Sequence, residues 1–270
     1  MNNLIIVPNK KEDIDIILNK NIKGIILGVK DLSIYNLELS IEEIITISNK
    51  TDKKIIIAIN KMIHNKDIIK VKEVLNKIIN SNISSILFYD IGILKIAKDL
   101  NLNQELILSQ EHLNASINSN NYYYKKGINA AHITSDITYQ ELLEIKDKVK
   151  LNIYYTVYGN LPIFYSRRLL LTSYFKYIGK EKKDNIYYIY DKDKKYTIIE
   201  RSYGTIIYSP KINLINYIEK LKDINQIIDL SIAKDITIID KFINKEQMEN
   251  TYIGFFNTKT IYKLKGDKNE

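Results

Sequence analysis

Three arginines stand among 37 lysines in this chain of 270 residues, and two of them, Arg167 and Arg168, are adjacent in the segment VYGNLPIFYSRRLLLTSYF. Isoleucine, lysine, asparagine and tyrosine dominate the composition, so a generic positive charge is written as lysine and an arginine needs its own reason. The planar guanidinium is permanently charged and grips a carboxylate or phosphate through two parallel hydrogen bonds, which an ammonium cannot do. The pair marks an anion site, and with adjacent residues on different faces of a helix, one of the two is expected to point inward. Gly159, just upstream, allows a backbone conformation or close approach that a Cβ would block.

His112 is the strongest candidate for moving a proton, because imidazole is the side chain whose ordinary pKa lies near neutrality. Glu111 or Asp90 can orient it, although Asp90 equally suits the start of a helix as an N-cap. Ser109, His112 and Asp90 can be drawn as a hydrolytic triad, but no glycine-flanked nucleophile elbow surrounds the serine. His132 lies within an apolar run and reads as a satisfied interior residue; His64 reads as surface. Arg201 follows Glu200 and is expected to pair with it. With three histidines, no cysteine and no HExxH pattern, no metal site or cofactor is expected.

These residues must be positioned by a scaffold, and the chain repeats one pattern eight times. Short β-branched runs at 4–8, 24–29, 54–60, 85–90, 105–110, 130–134, 151–158 and 226–232 are each followed by apolar residues at helical spacing. Helices are expected over 65–82, 138–149, 213–223 and 236–250. Ser40 with Glu43 and Thr138 with Glu141 form capping-box patterns, and Asn213 reads as an N-cap. Eight βα units without a glycine-rich nucleotide loop predict an α/β fold, a closed (β/α)8 TIM-barrel-like domain over 1–270.

The repeat breaks once, between the seventh and eighth strands, where an insertion over 160–210 carries the arginine pair. There YYIYDKDKKYTIIERSYGTIIYSP reads as β-hairpin structure. Pro8, Pro162 and Pro210 fall where strands end. In a barrel the C-terminal strand ends carry the chemistry. Those ends present Asn60, Lys61, Asp90, Ser109, Gln110, Ser135, Asp136, Tyr158, Gly159 and Asp229. The expected site therefore has His112 and Asp90 handling protons, with Asn60, Lys61, Gln110, Ser135, Tyr158, Gly159, Arg167 and Arg168 binding substrate.

The formal net charge of +8 suggests a polyanionic partner, but the lysine-rich composition accounts for part of it. The absence of cysteine excludes disulfides, thiolate zinc sites, cysteine nucleophiles and iron–sulfur clusters ligated by this chain. No stretch approaches a membrane span, the start has no leader pattern, and a cytoplasmic protein without membrane partners is expected. The tyrosines at 122–124 read as an apolar helix face with polar tips.

Several segments resemble the collagenase-like family known as peptidase U32. VYGNLPIFYSRRLLLTSYF is similar to its signature, with a glycine after an apolar strand, a serine, and a small polar residue at Thr172. LGVKDLSI, IAINKMIH, ILFYDIG, LSQEHLNASINSNNYYYKKGI, AHITSDIT and the terminal TKTIYKLK support it. The resemblance implies a barrel-like fold and either peptide-bond hydrolysis of unassigned catalytic type or oxygen-dependent hydroxylation of RNA bases or quinone precursors. Hydroxylating members hold an iron–sulfur cluster with cysteines. Here Pro162 and Leu169 occupy signature positions that are often cysteine, and Tyr154 replaces the usual acidic residue five positions before Gly159. The expected function is thus a U32-like peptidase, a hydrolase whose barrel pocket binds a peptide or small anion. The alternative is a noncatalytic RNA-binding or RNA-modification barrel, accessory to a cluster-bearing paralogue.

Overall fold

Eight parallel strands close on themselves: Leu4–Val7, Gly24–Val29, Lys54–Ile59, Ser85–Phe88, Glu105–Ser109, Ala130–His132, Asn152–Gly159 and Asn225–Asp229. Six lie inside the runs expected from the sequence, and the other two pass the expected bounds by one residue each, at Gly159 and Asn225. The computed structural model describes residues 3–110 and 114–258. Closure is made by the first strand, which pairs with both the second and the eighth, so that Ile5 lies opposite Gly24 on one side and Ile227 on the other. A strand buried on both faces reads as a continuous apolar run, which is why IILGV and IIIAI are uninterrupted.

Alternation divides those runs between two layers. Ile26, Ile56, Leu87 and Ile107 fill the barrel. Their neighbours Ile25, Ile57, Ile86 and Leu108 face the helices outside. Among the described residues, seven α-helices and two 3-10 helices cover the wall, with Ile41–Ser48, Ile68–Ile78 and Tyr139–Lys148 among the longer ones. Both capping boxes form as expected, at Ser40 with Glu43 and at Thr138 with Glu141.

The N-terminal end of the barrel is closed by a polar cluster. Glu105 accepts hydrogen bonds from Ser85 Oγ and Tyr154 OH, each at 2.9 Å, and pairs with Lys54. Burial alone would raise the Glu105 pKa, but the Lys54 ammonium and these donors outweigh it and hold the carboxyl below its usual range. Tyr154, on the seventh barrel strand, thus meets a carboxylate from the fifth.

Several local expectations are corrected. The segment 213–223 is a 3-10 helix, Ile215–Leu221, and Asn213 belongs to a two-residue strand, although its Oδ1 still accepts from Ile215 N at 3.1 Å. The last helix shortens to Ile238–Ile243, and the region at 65–82 divides into a 3-10 turn and Ile68–Ile78. Pro162 opens a strand instead of ending one; that strand is a sheet edge, where a missing N–H costs no ladder bond.

The insertion forms its own antiparallel sheet, in the order Ile186–Asp191, Lys194–Arg201, Gly204–Tyr208, Pro162–Ser166. One face carries Ile199, Ile206 and Tyr208 down onto Ile34 above the barrel. The other face holds the helix Leu170–Tyr177, and buried Glu200 caps it, accepting from Leu171 N at 2.7 Å and Thr172 N at 3.1 Å. Burial would push Glu200 upward, yet Lys182 at 2.8 Å, Thr172 and Thr205 bring its pKa down to about 2. Arg201 does not pair with Glu200. Successive strand residues face opposite ways, and its guanidinium donates instead to Asn36 Oδ1.

Candidate functional site

The C-terminal mouth of the barrel is a chamber with about 60 Å³ of interior space, lined by Asn60, Ser109, His132, Ser135, Asp136, Thr156 and Asp229, with Tyr35, Pro162 and Tyr208 around the rim. That is room for a few waters and for the edge of one planar group. The lid is the insertion, since Leu161, Pro162, Ile163 and Tyr208 all come from it or its junctions.

His132 is the centre of this chamber. Ala130 faces the barrel interior and Ala131 the helices, so alternation turns His132 inward again. Its Nδ1 lies 2.9 Å from Ser109 Oγ and its Nε2 2.9 Å from Thr156 Oγ1. Burial lowers its pKa to about 4, so at neutral pH the ring is uncharged, with one nitrogen donating and the other accepting. A Ser–His–Thr chain of this kind can relay a proton, but a base near pKa 4 is poorly matched to extracting one from serine at neutral pH.

Asp229 lines the same chamber from the eighth strand, two strands from His132. Burial raises its pKa to about 6, against the opposing effect of Ser231, whose backbone N donates to Oδ1 at 2.8 Å. Gly159 is held against it: its φ is +132°, and a Cβ there would stand 2.5 Å from the Asp229 carbonyl oxygen. The expected need for glycine at this position is met by that close approach. Asn60 is buried, with Oδ1 accepting from Ser33 Oγ at 2.8 Å and from Ile34 N at 3.1 Å. This fixes the amide so that its nitrogen is left for the chamber.

Of the expected site residues, the structure brings Asn60 and Ser135 into the mouth and stations Gly159 beside it. Asp90 accepts from Gly92 N at 2.8 Å just ahead of the helix Gly92–Asp99, whose N-cap is Ile91 and not Asp90, and it does not line the chamber. Tyr158 packs edge-on to Phe242 at 5.9 Å, outside the wall. The cause is a bulge: Thr156 pairs with Ile227 and Tyr158 with Ile228, so the extra residue, Val157, shifts the phase and sends Tyr158 to the helix side. Gln110 donates to the Tyr89 carbonyl at 3.2 Å, behind the mouth. His112 and Glu111 lie outside the described residues.

No lysine or arginine lines the chamber among the described residues, so the expected anion pocket does not form there. The cations lie in an adjoining cleft. Arg167 is exposed, and its Nη1 is 3.1 Å from His64 Nδ1. Lys61 donates to the Asp31 carbonyl at 2.6 Å and faces Asp67 at 3.5 Å in the same cleft. Arg168 is exposed, and neither arginine points into the barrel. His64, expected at the surface, is half-buried between the barrel and Arg167.

Sequence reasoning underrated His132 and passed over Thr156. The signal was present in AAHIT and YYTVYG, where every second residue of a barrel strand must face inward. The bulge at Val157 had no such signal.

A closed parallel barrel with a polar C-terminal mouth and a β-rich lid defines the architectural class. The sequence profile of Peptidase family U32 matches residues 10–234, and the chain belongs to that family. It is 26% identical over 236 residues to the tRNA hydroxylation protein P2 of Bacillus subtilis, a match covering 82% of this chain and 75% of that protein. It is also 25% identical over 132 residues to an uncharacterized protease of Methanocaldococcus jannaschii, covering 47% of this chain and 32% of the relative.

The cysteine-held cluster of hydroxylating members does not fit this chain. It contains no cysteine, and no group of three or more histidine, aspartate or glutamate side chains among the described residues could hold a metal ion. No helix among the described residues is long and apolar enough to cross a membrane.

Proposed function

We propose that this protein acts in tRNA modification, its barrel mouth holding the edge of one unstacked base while the oxidising centre of a hydroxylation is carried by another protein. The observation that carries this reading is the uncharged, doubly hydrogen-bonded His132, set in one chamber with Ser109, Thr156, Asn60 and Asp229. Fixed donors and acceptors around a narrow chamber suit a planar heterocycle read by its polar edge, as in enzymes that extrude a base from its stack. The similarity to a protein named for tRNA hydroxylation supports it.

The peptidase reading rests on Ser109 with His132 as nucleophile and base. The low pKa of His132 weighs against it, because the ring gains little from accepting the hydroxyl proton at neutral pH. Binding is the role of this chain's own residues: Asn60 donates, Asp229 accepts, and the hydroxyls of Ser109 and Thr156 adjust around the imidazole.

The test is mass spectrometry of nucleosides from tRNA of cells with and without the gene. Loss of a hydroxylated nucleoside on deletion is expected. An unchanged profile, together with cleavage of mixed peptides by the purified protein, would replace this reading with the peptidase one.

A further inference from the structure

All three arginines fall in the insertion, and residues 160–210 hold ten basic against five acidic side chains, a net +5 of the chain's +8. A lysine-rich composition spreads charge evenly; it does not place most of it in a fifth of the chain. Nine of the 21 tyrosines lie there as well. Between the insertion hairpin and the barrel rim runs a groove of about 450 Å³, lined by Tyr188, Lys194, Lys195, Lys211 and Tyr252, with Asp193 its one acid among the described residues. None of the three lysines is in an ion pair among the described residues. Instead each ammonium lies over a ring: Lys195 over Tyr188 at 3.7 Å, Lys194 over Tyr252 at 5.6 Å, and Lys211 over Tyr158 at 5.3 Å.

The groove adjoins the mouth. Asn160, Pro210 and Ile232 line the groove, and Leu161, Tyr208 and Asp229, their near neighbours in the chain, line the mouth. We infer that this groove is the track for single-stranded RNA flanking the bound base, with phosphates on Lys194, Lys195 and Lys211 and a neighbouring base stacked on Tyr188. Unpaired cations line up for a backbone, and half-exposed rings accept any base face, the combination used for single strands. The inference rests on the RNA reading above and names the surface and strand state it requires.

The experiment measures binding of the full chain to an unmodified tRNA transcript by fluorescence anisotropy across a salt series. The variant Lys194→Gln, Lys195→Gln, Lys211→Gln is expected to lose at least tenfold in affinity. Its slope of log affinity against log salt should fall by about 2, since each phosphate contact to a single strand contributes about 0.7. Tyr188→Ala should cost about tenfold with the slope unchanged. The control carries the same charge change on outer helices, at Lys72, Lys98 and Lys125, and should bind as the unaltered protein does. Equal losses in both triple variants, or no loss in the groove variant, would overturn the track. Loss of self-association in place of RNA affinity would make the groove an interface between copies and overturn it too. If the unaltered protein binds no RNA at any salt, the RNA reading itself fails, which is a separate outcome.

Discussion

His132 Nε2 lies 2.9 Å from Thr156 Oγ1, joining the sixth and seventh barrel strands through the chamber they help to line. With Ser109 Oγ on the other ring nitrogen, the contact holds the buried imidazole in one orientation. It also ties the protein's stability to pH in a specific way.

Folded His132 titrates near 4, against an ordinary value of 6.5, so between those values the unfolded chain takes up a proton that the folded chain refuses. Stability therefore falls as pH drops from about 6.5 to 4 through this group. Asp229 acts in the opposite direction: folded near 6 and ordinarily 3.8, it binds its proton more readily when folded, so stability falls as pH rises through that window. The two slopes oppose each other. His132→Gln should leave a protein that denatures more easily at pH 6 than at pH 4.5, and Asp229→Asn one that denatures more easily at pH 4.5. Urea midpoints at the two pH values decide it; parallel curves for both variants would refute the assignment.

Gly159→Ala should destabilise the fold by on the order of 3 kcal/mol, because the new Cβ meets the Asp229 carbonyl in a backbone region that side chains rarely adopt. A fall of several degrees in the thermal midpoint is expected. A shift of a degree or less would mean the eighth strand yields easily.

Replacing Arg167 and Arg168 by lysine keeps charge and removes the fork. Both are exposed, so the thermal midpoint should stay within about a degree, while affinity for tRNA falls roughly fivefold, about 1 kcal/mol. Unfolding in place of weaker binding would reassign the pair to structure.

The barrel was legible because strands buried on both faces read as continuous apolar runs, so IIIAI and IILGV announced themselves without help from distant residues. The capping boxes were legible because their partners are three residues apart. The site was less so. The bonds from His132 to Ser109 and Thr156 span 23 and 24 residues, and Arg201 meets Asn36 across 165. Tyr158 shows the limit most sharply: correct alternation fails there because one bulged residue reverses the phase.

The same local limit governs Asn60, where the sequence placed the residue at a strand end and the structure supplies the reason it is held. Ser33 and Ile34 fix its Oδ1, and its nitrogen is the donor left for a base. Asn60→Asp preserves the shape and both accepted hydrogen bonds and turns that donor into an acceptor. The most direct measurement is the amount of hydroxylated nucleoside in tRNA of a deletion strain carrying either the unaltered gene or the Asn60→Asp variant, with the variant's folding verified by its thermal midpoint. Restoration by the unaltered gene and none by the folded variant is the expected result. Full restoration by Asn60→Asp would contradict the claim that the barrel mouth reads the base.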